Sequence, residues 1–430
     1  MDHSEKKPEI SIEKSSQEVC QKYHLTNGNE TLFSLLDDPH FSKLYVVGGP
    51  GTGKTRFLTR SAVKFAKSME KNVLCVMPNE KIYKAFLREF GKRRMDSEWP
   101  QCFNEPGVIV TLEDLDANLA EEPTNVLKRC RLLIGHLGHQ FFQKILELSN
   151  WHYDVVVIDD IVFISKDRYY AMLCAGRKRE FVLVAAYDWH QDKEFKERNS
   201  PPSFAEFVQT ERTNKCDHST CTGKPAIWTT HMNHSNRPDA SLKWISLSHY
   251  VRQLKGRTDR PQATIQFVDV QLFAEAPSRE QAGSLMTAWN QGEAKIAVGM
   301  AEELLKEGTS ADNIFIIADF EPQIELIRRL VHESKICKEV RVGSPFDFRW
   351  TPMVRNVIYT NTVSRRLGCW GCFKPAIGAW ISVLTRAYGR VIWIGNSEML
   401  AEHNWLSVRN FLKFLNGEEM EENKRKRGRK

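Results

Sequence analysis

The sequence predicts an α/β protein built as two parallel-sheet units, and three observations carry that prediction. Short apolar runs recur along the chain with helical-looking segments between them. A glycine-rich loop, GGPGTGKT at 48–55, lies between one such run and a segment with apolar residues at 58, 62, 65, 66 and 69. A further run, VVVIDDIVF at 155–163, ends in two adjacent aspartates and then turns apolar again.

The strands follow in order. KLYVV (43–47), NVLCVM (72–77), RLLI (131–134), YDVVVI (153–158) and FVLVA (181–185) form a first block. Their near-continuous apolar character suits parallel strands covered on both faces. After a polar, Pro-containing stretch over 190–242 the pattern resumes with ATIQFV (263–268), NIFIIA (313–318), NVIYT (356–360) and RVIWIG (390–395). The expected division is an N-terminal extension (1–29), a first unit (30–242) with an inserted Cys/His-containing segment near 196–242, a second unit (243–416) and a charged tail (417–430).

Composition supports a folded protein, since 430 residues with 41% hydrophobic content suffice for two cores. Apolar runs all fall short of the roughly 20 residues that span a bilayer, so no membrane association is expected. MDHSEKKPEISIEKSS at the N-terminus lacks a signal-peptide core, which gives an intracellular expectation. Ten cysteines, mostly in apolar contexts such as Cys75 and Cys174, read as reduced buried thiols without disulfides. Of the formal charge of +7, KRKRGRK at 424–430 supplies six positive charges and leaves the body near +1. That tail is read as a nuclear import signal or a nonspecific phosphate-binding arm, against the plain alternative of a solvated end.

The glycine-rich loop matches G-x-x-x-x-G-K-[ST] in a strand–loop–helix context, which predicts a nucleotide site. Gly48, Gly49, Pro50, Gly51, Thr52 and Gly53 let the backbone curl around phosphates at a helix N-terminus. Lys54 reaches the β/γ oxygens and the Thr55 hydroxyl ligates Mg²⁺. Asp159 and Asp160 belong at the carboxyl edge of a buried strand, where open α/β sheets bind ligands. Asp159 fits the carboxylate that holds Mg²⁺, and Asp160 stands where a general base would orient the attacking water. ATP and Mg²⁺ are therefore the expected cofactors.

Family resemblance comes from the rest of the chain. AWISVLTRAYGRVIWIGNSEML (379–400) resembles the sixth motif of superfamily 1 helicases, and VLVAAYDWHQDKEF (182–195) is similar to their third, with Asp188 and Gln191 at matching spacing and Tyr187 in place of glycine. LSHYVRQ (247–253) resembles the L-x-x-x-Y-R motif, with Arg252 one position off. IADFEPQIELIRRL (317–330) is similar to the segment opening the second domain in the up-frameshift-like branch. VMPNEKIYKAFL (76–87) and RLLIGHLGHQFF (131–142) take the places of motifs that touch the nucleic-acid strand.

The resemblance covers residues 30–416 in the family's motif order. It implies two RecA-like P-loop domains with a nucleotide cleft between them and a single strand of RNA or DNA across their top. It also implies that Gln191 senses the γ-phosphate, that Arg386 acts as an arginine finger, and that Arg252 contributes a second arginine. Gln17 is the candidate adenine-reading residue. Taken singly, Arg386 could be a surface arginine, Gln191 a loop residue, Asn79 a turn former and His136 a satisfied core histidine.

Two departures bear on activity. The acidic motif commonly reads D-E, whereas this chain has Asp159-Asp160, and a carboxylate one methylene shorter falls back by about 1 Å, a displacement that can cost 10²-fold in rate. The fifth motif lacks its Gln-Gly pair, having FDFRWTPMVR (346–355) instead. Zinc could be drawn from four of Cys216, His218, Cys221, His231 and His234, but the spacings match no established finger and the expectation leans against it. CWGC (369–372) reads as a turn with a packed Trp370.

The first functional reading is an ATP-dependent helicase or translocase on single-stranded RNA or DNA, with protein recruitment partners and oligomeric state left open. The second is a catalytically weak relative that binds ATP and nucleic acid or protein as a switch or scaffold. A small-molecule kinase would leave the second unit and Arg386 without a purpose.

Overall fold

A computed structural model describes residues 22–25, 36, 41–49, 51–68, 71–93, 101–117, 125, 127–139, 151–164, 182–188, 226–232, 234–238, 255–257, 264–270, 289–349, 351–362 and 383–397. Both main sheets are parallel throughout their described pairings.

The first sheet is formed by β1 (Lys22–Leu25), β2 (Phe41–Gly48), β3 (Val73–Met77), β4 (Ile109–Val110), β5 (Leu132–His136), β6 (Val155–Ile158), β7 (Val182–Tyr187) and β8 (Ala226–Met232). Their spatial order is β1-β8-β2-β7-β6-β3-β5-β4. Helices α1 (Lys54–Ser68), α2 (Glu80–Arg93) and α3 (Leu112–Ala117) follow β2, β3 and β4. The Val/Leu/Ile runs are fully buried, as strands covered on both faces must be. Phe57, Leu58, Phe65, Ile82, Tyr83 and Phe86 on α1 and α2 complete the core.

Six described strands fall outside the sequence expectation, β1, β4 and β8 of this sheet and those at His234–Pro238, Lys255–Arg257 and Arg341–Gly343, and two in this sheet lie in stretches given another role. Ala226–Met232, read above as part of an inserted segment, is β8 and pairs directly with β2, while β1 lies in the stretch read as an N-terminal extension. The sequence AIWTTHM carries the β-branched and aromatic residues that suit a strand, but its polar residues mask the apolar run. β9 (His234–Pro238) and β10 (Lys255–Arg257) form a separate two-stranded sheet.

The second sheet contains β11 (Thr264–Asp269), β12 (Ile314–Ala318), β13 (Arg341–Gly343), β14 (Val354–Thr360) and β15 (Ala387–Gly395) in the order β11-β15-β14-β12-β13. Helix α4 (Gln291–Lys306) precedes β12, α5 (Glu321–Glu333) follows it, and the short α6 (Pro345–Arg349) follows β13. Ala294, Ala297, Ala301, Ile324 and Ile327 bury the helices against Ile316, Ile358 and Ile392. Each sheet thus has its own apolar core.

The buried cysteines behave as small apolar residues. Burial raises the thiol pKa of Cys75 and pushes that of Cys130 up to about 12. No helix among the described residues is long and apolar enough to cross a membrane.

Candidate nucleotide site at the carboxyl edge of the first sheet

The loop after β2 is shaped by its glycines. Gly51 and Gly53 have φ of 72° and 90°, a conformation side chains disfavour. At Gly48 a Cβ would lie 2.4 Å from the Thr52 hydroxyl. That hydroxyl donates to the Gly49 carbonyl at 2.9 Å and closes the turn, and Phe57 N–H bonds to Gly53 O at 2.9 Å as α1 begins. Lys54 Nζ folds back onto the carbonyls of Gly48 (2.8 Å) and Gly49 (3.1 Å).

Sheet order then brings the second acidic motif to this loop. β7 separates β2 from β6, so the ends of β2 and β6 flank a single strand. Thr55 Oγ1 donates to Asp159 Oδ2 at 2.6 Å, joining residues 104 positions apart. Asp160 N–H donates to the other carboxylate oxygen, Oδ1, at 3.1 Å. Burial, with the Asp160 carboxylate second, pushes the Asp159 carboxyl up to about 7, against the Thr55 hydroxyl and the Lys54 ammonium.

Asp160 itself is a left-handed residue, φ 48° and ψ 51°. Aspartate tolerates this conformation better than most side chains. The backbone reversal ends β6 and starts a one-turn helix, Ile161–Phe163, closed by Phe163 N–H to Asp160 O at 3.1 Å. That turn carries Ile161 and Ile164 back into the core, which explains the apolar residues after the aspartate pair. Both aspartates are themselves largely buried.

These residues fit a magnesium nucleotide. Thr55 and Asp159 supply the hard oxygen donors that Mg²⁺ takes, Lys54 supplies positive charge, and the glycine-turned backbone opens onto the N-terminus of α1. Asp188 sits buried at the end of β7, between the two motifs. The Arg386 guanidinium donates to the Thr351 carbonyl of its own unit. Gln17, Pro50, Gln191, Cys216, His218, Cys221 and Arg252 lie outside the described residues, and His231 and His234 are placed on β8 and β9 by backbone alone. Among the described residues no group of three or more His, Cys, Asp or Glu is placed to hold a metal.

The neighbouring edge positions take the structural role that each has singly. Asn79 caps α2, its Oδ1 accepting from Ile82 N–H at 3.1 Å. His136 at the end of β5 packs its ring 5.5 Å from that of Tyr83 and accepts from Gly138 N–H at 3.2 Å. Burial lowers its pKa, and His139 lowers it further, against Glu80 and Glu113.

Residues 229–398, from within β8 to just past β15, match a family described as an AAA domain. The match takes in the whole of the second sheet. The matched stretch contains Arg386 and the FDFRW segment, and the phosphate loop precedes it. No curated protein sequence matches the chain. Similar solved structures include the DEAD-box helicase Mss116 bound to ssRNA and UDP-BeF, with 13% identity, a TM-score of 0.48, and coverage of 86% of this chain and 70% of that one. The helicase domain of Hef from Pyrococcus furiosus is similar at 11% identity and a TM-score of 0.43, covering 86% of this chain and 94% of that one. S. cerevisiae Dbp5 bound to RNA and ADP BeF3 is similar at 12% identity and a TM-score of 0.43, covering 91% of this chain and 87% of that one.

Sequence reasoning missed two features. Lys81 on α2 forms an ion pair with Asp347 on α6, linking the two units. Glu293 and Asp319 are carboxyls at the carboxyl edge of the second sheet with raised pKa values. Lys81, Asp319 and Asp347 lie within segments singled out above, Glu293 does not, and in each case only the fold brings the partners close.

Proposed function

We propose that the protein is an ATP-dependent translocase or helicase on single-stranded nucleic acid, RNA or DNA. The observation that carries this reading is the 2.6 Å hydrogen bond between Thr55 and Asp159, which joins the phosphate loop to the acidic strand and supports a shared magnesium site there. In this reading Lys54 holds the β/γ oxygens, Thr55 and Asp159 hold Mg²⁺, and Asp160 aligns and deprotonates the attacking water. The metal, when bound, neutralises charge that develops on the transferring phosphoryl group. Gln191 senses the γ-phosphate, and Arg252 and Arg386 close the cleft from the second unit. Release of the Arg386 guanidinium from Thr351 O is then part of closure.

Steady-state ATP hydrolysis with and without single-stranded RNA or DNA tests the reading, with Lys54→Ala as background. Expected is strand-stimulated turnover that both Lys54→Ala and Arg386→Ala abolish. Turnover at the Lys54→Ala level on every strand would sink the motor. A second reading, an ATP-binding switch that hydrolyses little, draws support from the left-handed, short Asp160 and from the FDFRW segment that replaces Gln-Gly. ATP binding without turnover would establish it.

A further inference from the structure

The Lys81–Asp347 pair joins the carboxyl edges of the two sheets. Lys81 lies in the first turn of α2, immediately after β3 and its Asn79 cap, and is exposed. Asp347 lies on α6, immediately after β13. In open parallel sheets the carboxyl edge is where ligands bind, so a polyanion that bridges both units across these edges must pass the pair. The next lysine on α2, Lys84, is itself paired with Glu80.

The Asp347 carboxylate divides its two oxygens between two tasks. Oδ2 accepts from Ser344 N–H at 3.1 Å and from the Ser344 hydroxyl at 2.7 Å, while Ser344 Oγ accepts from Asp347 N–H at 3.1 Å. This reciprocal cap fixes the side chain. Oδ1 is thereby aimed away from the cap and takes the Lys81 ammonium. A lysine so held offers no free point charge to a phosphate, and an exposed ion pair is weak enough for a phosphate to replace the carboxylate.

Resting on the strand-binding reading above, we propose that Asp347 is an internal competitor for the nucleic-acid strand, holding Lys81 and bridging the units until a strand phosphate displaces it. The pair is a self-made stand-in for a protein–phosphate contact. It sets a threshold for strand binding and opens as the strand enters.

The test is fluorescence anisotropy of labelled oligouridylate and oligothymidylate on the full chain across a salt series. Asp347→Asn keeps an acceptor for Ser344 and removes the anionic oxygen from Lys81. Expected is a roughly two- to fivefold tighter apparent Kd, the size an exposed ion pair allows, with a salt dependence steeper by about one phosphate contact. Lys81→Gln should weaken binding, and Lys81→Gln combined with Asp347→Asn should bind no tighter than Lys81→Gln alone. Unchanged or weaker binding by Asp347→Asn, with wild type still binding, overturns the competitor and leaves the strand reading intact. Absence of binding by wild type and Asp347→Asn alike on both oligonucleotides overturns both. A gain in the double variant equal to that of Asp347→Asn alone would mean that Asp347 repels the strand without acting through Lys81, and also overturns the proposal.

Discussion

At residue scale, the proposed function turns on Asp160, which on that reading separates a catalyst from a holder. Its left-handed backbone directs the chain back into the core, and its carboxylate is one methylene shorter than glutamate. Asparagine tolerates the same backbone region, so Asp160→Asn should keep the fold and nucleotide binding while losing turnover. Asp160→Glu should move the carboxylate forward by about 1 Å and raise turnover toward 10²-fold, partly offset by the poorer fit of glutamate to positive φ. Single-turnover hydrolysis of both variants checks this. Equal rates in wild type and Asp160→Asn would remove Asp160 from the chemistry.

The same residue shows what a sequence does and does not disclose. VVVIDD is legible as a strand reaching a ligand-binding edge, because charge is tolerated only where a buried strand leaves the core. The two motifs assign Thr55 and the neighbouring Asp159 to one metal, but the direct 2.6 Å bond between them depends on β7 entering the sheet between β2 and β6. Lys54 is likewise readable as a phosphate lysine from its motif, whereas its present partners, the Gly48 and Gly49 carbonyls, are a property of the folded loop.

At element scale, Glu293 couples the start of α4 to the end of β14. Its Oε2 accepts from the Thr362 N–H at 2.7 Å, and its own N–H donates to the Asn290 cap at 3.0 Å. Thr362 has φ 66°, and this bond holds it in that conformation. Burial pushes the Glu293 carboxyl up to about 8, with the Asp319 charge adding to the rise and the Thr362 and Asn361 N–H groups opposing it. Below the unfolded-state value both states are protonated, so burial imposes no ionisation penalty there. As pH rises through that value the unfolded chain ionises first, and stability falls until the folded group ionises near pH 8. Asp319, pushed up to about 6 by desolvation against the Tyr359 hydroxyl, acts in the same direction over a lower range. The second unit should therefore be less stable at pH 8 than at pH 5, by on the order of a few kcal/mol. Glu293→Gln should flatten that slope in denaturant unfolding followed at both pH values. A slope unchanged by the substitution would assign the pH dependence to other groups.

On the scale of the whole molecule, two separate cores and an exposed ion pair between their units predict two unfolding transitions. The unit containing the phosphate loop should respond most strongly to nucleotide. Mg²⁺ with a non-hydrolysable ATP analogue at about 100 times Kd should stabilise that transition by about 2.7 kcal/mol, and Lys54→Ala should lose the shift. Calorimetry with and without chelator reads both effects. A shift of equal size in Lys54→Ala would place the nucleotide elsewhere.

By itself the sequence determined the two-block α/β plan, nine of whose strands announce themselves as apolar runs, and the strand–loop–helix that makes a phosphate site. Those are local properties, since burial on both faces demands an unbroken apolar run and a backbone with positive φ favours glycine. Tertiary structure alone decided that the polar stretch AIWTTHM pairs beside β2, that Thr55 and Asp159 bond directly to each other, and that Lys81 is held by Asp347. Each of these depends on strand order or on how one unit meets the other. They join residues far apart in the chain, and no periodicity or spacing encodes such a meeting.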